Sequence, residues 1–229
     1  SASHLHYNSY MPTSTKRLVL VAGNIGAGKT SITEMLGQQL GWQTGYETIE
    51  GNPYLGKFYG DMGAWSFHLQ VFLLGQRAQQ HLDAARHPDS FIVDRSIYED
   101  YHIFARALLE LGNISEEDFA TYERLYRILV PTLPKPDLLL YLRAPVESLV
   151  ARIRARGRGM ESGISADYLA LLDKYYEEWM AAYDLSPVLQ VPTADWDFVN
   201  KPSHSQVVVQ KIQDKLSGKE NVVFPENGG

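Results

Sequence analysis

The residues best equipped for chemistry stand together near the start of the chain: Gly23, Asn24, Ile25, Gly26, Ala27, Gly28, Lys29 and Thr30 have the full spacing G-x-x-x-x-G-K-[ST]. Small residues let such a backbone curl until successive N–H groups point at phosphate oxygens, and a helix beginning near Lys29 adds the positive end of its dipole. Lys29 can then reach the outer phosphates of a nucleotide, and Thr30 can offer its hydroxyl to Mg2+. A second pair, Asp94 and Arg95, sets a carboxylate suited to a metal beside a guanidinium suited to a transferring phosphoryl group. A third group, Arg152, Arg154, Arg156 and Arg158, places arginines at alternating positions. Alone it reads as a solvated helix face. Beside a phosphate loop, arginine's planar fork suits phosphate oxygens, and a closing arginine-rich segment both supplies charge and expels water.

These groups need elements to hold them. Short apolar runs alternate with longer helical patterns, which predicts an α/β protein with a parallel sheet of about five strands, flanked by helices on both faces. Strands are expected at Leu18 to Ala22, around Thr44 to Glu47, and at Phe91 to Asp94, Leu138 to Leu142 and Val188 to Val191. LVLVA and LLLYL lack polar alternation and should be central. Helices are expected after Gly28, over Trp65 to Ala85, Ile97 to Leu111, Ser115 to Val130, Val146 to Arg156 and Ile164 to Tyr183, and near the C-terminus. Ser115 with Asp118 reads as a variant capping box, and the prolines from Pro131 to Pro136 stop that helix.

Composition narrows the classes. With 45% hydrophobic and 21% charged residues, global disorder and a long coiled coil are excluded. A net charge of −6 gives no global field toward nucleic acid or an anionic membrane, though a local basic cluster could still take phosphate. Cys is absent, which removes disulfides, thiolate metal sites and a cysteine nucleophile, and fits a cytoplasmic location. The opening SASHLHYNSYMPTSTK has neither an apolar core nor a basic start, so it reads as a tail and not as a signal peptide or anchor. The expected division is an N-terminal tail over 1–15, one domain over 16–217 and a C-terminal tail over 218–229. A switch GTPase would carry N-K-x-D, and none is present.

Several separate stretches resemble the deoxynucleoside kinases, which share a fold with thymidylate kinase. Besides GNIGAGKT these are YETIEGNPYLGKFY (46 to 59), WSFHLQVFLLGQR (65 to 77), DRSIYED (94 to 100) and RIRARGRGME (152 to 161), so the likeness spans about Arg17 to Phe198. NPYL, WSFHLQ and DRSIYED are closest in wording to bacterial deoxyadenosine and deoxyguanosine kinases. The resemblance implies a P-loop kinase fold with an arginine-rich lid. Two departures stand out: Asp94 where the mammalian branch usually has Glu, and Thr48 where Pro often follows the acid.

The resemblance also implies roles. Glu47 would meet the nucleoside 5′-hydroxyl and accept its proton, with Asp94 as the rival carboxylate near Mg2+; Arg95 would bind acceptor-side oxygens and hold Glu47. Tyr59 and Glu161 would bond the sugar 3′-hydroxyl, Gln70 would read the base through its two-faced amide, Arg77 and Asp100 would form a charged pair near it, and Phe104 would cover it. Arg152, Arg156 and Arg158 match lid positions on ATP phosphates, Arg154 matches none, and Asp197 with Phe198 resembles the loop around the adenine of ATP. The function implied is transfer of the γ-phosphate of ATP to the 5′-hydroxyl of a deoxynucleoside, a purine one by the bacterial likeness. The alternatives are a deoxycytidine-accepting or broad-specificity enzyme, a thymidylate kinase, whose acceptor phosphate Glu47 would repel, and an ATP-sensing regulatory subunit. A homodimer and inhibition by a deoxynucleoside triphosphate are implied too. Tyr122, Tyr126, Tyr175, Tyr176 and Trp179 recur at near-helical intervals and read as core or interface.

Overall fold

LVLVAG becomes β1 (Leu18–Gly23), and every residue in it is buried. A strand with no polar face must be covered on both sides, as helices on either face of a parallel sheet cover it. The computed structural model describes residues 15–47, 50–157 and 163–225. In it β2 (Gln43–Gly45), β3 (Phe91–Asp94), β4 (Leu138–Arg143) and β5 (Val188–Pro192) join β1 in the order β2-β3-β1-β4-β5. All pairings are parallel, with Val21 opposite Asp94 on one side and Leu140 on the other. LVLVAG is the central strand and LLLYLR is its neighbour, as their apolar runs require.

The helices are α1 (Lys29–Leu40), α2 (Leu55–Gly60), α3 (Met62–Arg86), α4 (Ile97–Glu99), α5 (Arg106–Glu110), α6 (Glu116–Leu129), α7 (Val146–Arg156), α8 (Ala166–Ala182) and α9 (Pro202–Leu216). The twofold period of β1 sorts the core. Leu18, Leu20 and Ala22 meet Leu74 and Ala78 of α3, Ile97 of α4, Tyr122 of α6 and Tyr176 of α8. Val19 and Val21 meet Ile32 and Leu36 of α1, Leu149 and Ile153 of α7, and Val208 and Ile212 of α9. Each fully buried Leu or Ile is worth about 1.5–3 kcal/mol relative to exposure, so both layers grip the sheet. Tyr122, Tyr126, Tyr175, Tyr176 and Trp179 all lie in the first layer.

Four local features depart from the expectations. The second strand stops at Gly45, short of Glu47; a Cβ at Gly45 would lie 3.0 Å from the Gln80 amide and 3.1 Å from the Phe91 ring, so the strand's end leaves little room for a side chain. A short α2 precedes the long helix, and α3 begins at Met62 because Asp61 accepts a hydrogen bond from the Ala64 N–H at 3.0 Å. The expected helix from Ile97 to Leu111 is broken by a π-helical stretch, Asp100–Ala105. The reciprocal capping box forms at Ser96 and Glu99, while Ser115 accepts from the Asp118 N–H. Thr48, Arg158, Glu161 and all of the expected N-terminal tail except Thr15 lie outside the described residues, as do the last four residues of the C-terminal tail, 226–229. Among the described residues no helix is long and apolar enough to cross a membrane.

Candidate active site

Ligands of open parallel sheets gather beyond the carboxyl ends of the strands, and the candidate residues converge there. The phosphate loop follows β1. Gly26 and Gly28 have φ of 84° and 98°, a left-handed backbone that glycine adopts freely. At Gly26 a Cβ would come within 3.1 Å of the Ile153 side chain, so the loop also packs tightly on α7. Lys29 turns back over the loop and donates to the carbonyls of Gly23 at 3.0 Å and Asn24 at 3.4 Å. Burial first, and Arg95 second, lower its pKa to about 8, against the pull of Asp94, Glu99 and Glu47. A phosphate anion beside Lys29 would oppose both effects by favouring the protonated ammonium.

Thr30 donates to Asp94 Oδ2 at 2.7 Å, whereas the buried Asp94 Oδ1 has no hydrogen-bond partner. A hydroxyl beside a carboxylate with a free oxygen is the donor chemistry that a hard divalent cation takes. Among the described residues no three or more metal-ligating side chains cluster. A cation at Thr30 and Asp94 would be held by one or two protein oxygens together with phosphates and water.

At the end of β3 the chain takes a sharp turn. Arg95 has φ of 69° and is the non-glycine residue with positive φ among those described. The turn directs its guanidinium into the crevice, where Nε donates to Glu47 Oε2 at 3.3 Å and Nη1 to Glu99 Oε2 at 3.4 Å. Its flat face lies 4.4 Å from the centre of the Phe104 ring. Arg77, reaching in from α3, donates from Nη2 to Glu47 Oε1 at 2.7 Å and from Nε to Asp100 Oδ2 at 3.1 Å. Glu47 is therefore clamped between two arginines. Burial pushes its pKa up, but Arg95, Arg77 and Lys29 outweigh that and hold it down at about 2. Its side chain keeps 40% exposure, so the ionised oxygens face the open crevice. Asp100 lies deeper: burial raises its pKa against Arg77 and Arg95.

Two further candidates stand on α3 and α2. Gln70 is 3% exposed, and its Oε1 has no hydrogen-bond partner among the described residues. Tyr59 stands on α2 at 43% exposure, near enough to Tyr168 of α8 to raise that phenol's pKa, although burial does more.

Not all expected residues converge. Arg152 is engaged with the carbonyls of Ala27 and Thr193 and with the Thr193 hydroxyl, bracing the phosphate loop against the turn after β5. Arg154 and Arg156 are exposed. Phe198 is buried against the loop, 3.6 Å from where a Cβ on Gly28 would sit, and Asp197 accepts from the backbone and side-chain N–H groups of Asn200. Phe104, the ring expected to cover a base, packs on the Arg95 guanidinium. Two residues beside the site escaped the sequence reading. Tyr168 lies within reach of Tyr59 and Arg95, and periodicity marks it only as a helix residue. Glu99, with no exposed surface, touches Arg95, Tyr176 and the loop. The S-x-x-E spacing from Ser96 was the signal that could have singled out Glu99.

The deoxynucleoside kinase family model matches residues 19–217. The chain is 38% identical over 197 residues to a deoxyadenosine/deoxycytidine kinase of Bacillus subtilis, covering 85% of this chain and 91% of that protein. It is 35% identical over 210 residues to a deoxyadenosine kinase of Lactobacillus acidophilus, covering 87% and 96%. Among solved structures, deoxyadenosine kinase of M. mycoides with bound dATP superposes with a TM-score of 0.73 at 28% identity, over 88% of this chain and 100% of that one. The same enzyme with dCTP bound gives 0.73, over 86% and 99%. The family uses ATP and a divalent metal. Because the match runs through the whole sheet, from β1 past β5, and carries the phosphate loop with it, this chain belongs to the deoxynucleoside kinases, a family of phosphotransferases.

Proposed function

We propose that the protein transfers the γ-phosphate of MgATP to the 5′-hydroxyl of a deoxynucleoside, with deoxyadenosine or deoxyguanosine as the preferred acceptor, for nucleotide salvage. The observation that carries the reading is Glu47: an ionised carboxylate, open to the crevice on one side and held by Arg95 and Arg77 on the other. Glu47 accepts the 5′-hydroxyl proton as that oxygen attacks. Its low basicity suits phosphoryl transfer, which asks mainly for orientation and a modest proton acceptor. Asp94 is the poorer candidate because it is buried beside Thr30, whereas the Glu47 side chain keeps 40% exposure toward the crevice. Lys29 draws on the β and γ phosphates, and Arg95 steadies Glu47 and neutralises charge on the acceptor side. Thr30 and Asp94 would hold Mg2+, which supplies charge compensation to the phosphates when bound.

On the acceptor side, Gln70 reads the base with its unpaired amide oxygen, Arg77 and Asp100 set the charge beside it, Phe104 covers it, and Tyr59 with Glu161 takes the 3′-hydroxyl. On the donor side, Asn24, Ile25 and the loop glycines wrap the phosphates. Arg156 and Arg158 belong to a lid that closes over them, with Arg152 as its anchored base, and Asp197 and Phe198 border the adenine. The kinase unit is residues 16–217. The charge of −6 argues against nucleic acid as a partner. A cytoplasmic homodimer inhibited by a deoxynucleoside triphosphate completes the proposal.

The purine assignment rests on relatives named for deoxyadenosine and deoxyguanosine. One relative is named for deoxycytidine as well, and this favours the second reading, a purine kinase that also accepts deoxycytidine. Purified protein with MgATP and each deoxynucleoside in turn should give a 5′-monophosphate, with the highest kcat/KM on a purine. Product from none of them would end the proposal, and equal kcat/KM on thymidine would end its purine part. Glu47→Gln should lower kcat by about 10²-fold, the scale of a lost general base; unchanged turnover would move the role to Asp94.

A further inference from the structure

Glu99 presents a physical problem that the reaction scheme leaves open. Its carboxylate has no exposed surface, and burying a carboxylate is unfavourable unless several donors surround it. Here they do. Oε1 accepts from the Ser96 N–H at 3.2 Å, closing the capping box that starts α4. Oε2 accepts from the Gly23 N–H at 3.2 Å, from Arg95 Nη1 at 3.4 Å and from the Tyr176 hydroxyl at 2.6 Å. The same hydroxyl lies 2.8 Å from the Gly23 carbonyl and 3.5 Å from Arg95 Nη1. The Gly23 carbonyl in turn accepts from Lys29.

The capping box alone does not need a charge, since glutamine closes it equally well. What requires a carboxylate is Oε2, an acceptor that meets three donors from three parts of the chain: the first residue of the phosphate loop, the arginine after β3 and a tyrosine on α8. We infer that Glu99, with Tyr176, is a positioning residue that fixes Arg95 relative to the phosphate loop and so sets the spacing between the acceptor and donor sides of the crevice. Glu47 holds Arg95 from the open side, where a substrate can compete for it; Glu99 holds it from the buried side, where nothing can. The arginine's strained backbone, φ 69°, needs such a counterpart, because a left-handed non-glycine residue persists only where its surroundings over-determine it.

This inference rests on the kinase reading of Arg95 and the loop, and the experiment separates the two. Wild type, Glu99→Gln and Tyr176→Phe are compared by steady-state kinetics with ATP and the best deoxynucleoside, alone and in an Arg95→Lys background, with Tm recorded for each. No turnover by wild type on any deoxynucleoside defeats the kinase reading itself. With an active wild type, Glu99→Gln should lower kcat about tenfold or more while KM for either substrate moves by less than about threefold. That is the pattern of an interaction realised in the transition state. Tyr176→Phe should do the same to a smaller degree. In the Arg95→Lys background Glu99→Gln should add less than about twofold, because residues acting through one group are not additive. An unchanged kcat with a lowered Tm would make Glu99 a structural residue only and overturn the inference, as would a full multiplicative loss in the Arg95→Lys background. Should Glu99→Gln fail to fold, Tyr176→Phe in the same two backgrounds decides by the same criteria.

Discussion

Gln70 carries a buried amide oxygen with no hydrogen-bond partner among the described residues, the kind of group that destabilises a folded chain unless a water or a ligand completes it. Its two roles predict opposite signs. Gln70→Leu, close in size, should leave Tm unchanged or raise it, since it removes an unsatisfied acceptor, while raising KM for the deoxynucleoside at least about tenfold. Steady-state kinetics beside a thermal melt checks both. A falling Tm with an unchanged KM would return Gln70 to the core. The residues around it differ in how far the sequence discloses them. The phosphate loop is legible because its spacing is local: Gly26, Gly28, Lys29 and Thr30 act through backbone shape that eight consecutive residues define. Arg77 is not legible in that way. Its pairs with Glu47 and Asp100 join positions separated by 30 and 23 residues, and no periodicity marks a helix arginine as one that turns inward.

At the scale of elements, the runs LVLVAG and LLLYLR announce buried strands, because a parallel sheet covered on both faces leaves no polar alternation. Boundaries are another matter. The last residue of β2 is a glycine because Gln80 and Phe91 leave little room for a side chain there, a tertiary constraint that no propensity contains. The π-helical stretch Asp100–Ala105 fits one extra residue into a helix and shifts Asp100 and Phe104 relative to Ile97, a change of phase that a 3.6-residue pattern cannot express. The start of α3 is decided by Asp61, whose carboxylate caps the Ala64 N–H. Asp61→Ala should lower unfolding free energy by about 1 kcal/mol, within the 0.5–2 range of lost N-caps. It should leave kcat unaltered, because Gln70 and Arg77 lie further along the helix. Chemical denaturation with a parallel activity assay checks this, and a loss of kcat would show that the first turn of α3 takes part in the site.

At the scale of the molecule, the negative net charge is an average over unlike regions. Lys29, Arg77 and Arg95 are buried among Glu47, Asp94, Glu99 and Asp100, so the arginines of the crevice are paired within an acidic chain. Lys29 and the N–H groups of the phosphate loop can take a phosphate compound there without making the surface attractive to a polyanion. The crevice spans both halves of the sheet, so a ligand that touches the phosphate loop and the acceptor side together should stabilise more than one that touches the loop alone. At matched concentrations a deoxynucleoside triphosphate is expected to raise Tm more than ATP does, by up to about 3 kcal/mol in stability at a hundredfold excess over Kd. Differential scanning fluorimetry reads this directly, and equal shifts would remove the proposed inhibition through both sides.

The left-handed backbone at Arg95 bears on how this chain can be altered. An L-residue there is disfavoured by roughly 1–2 kcal/mol, which glycine would not incur and asparagine would incur less. Replacing the arginine would also take a donor from the fully buried Glu99, and breaking a buried ion pair costs about 3–5 kcal/mol. The backbone relief is smaller than that loss, so stability and turnover both keep arginine at position 95, and a stabilised variant of this enzyme should be sought by changes elsewhere in the chain.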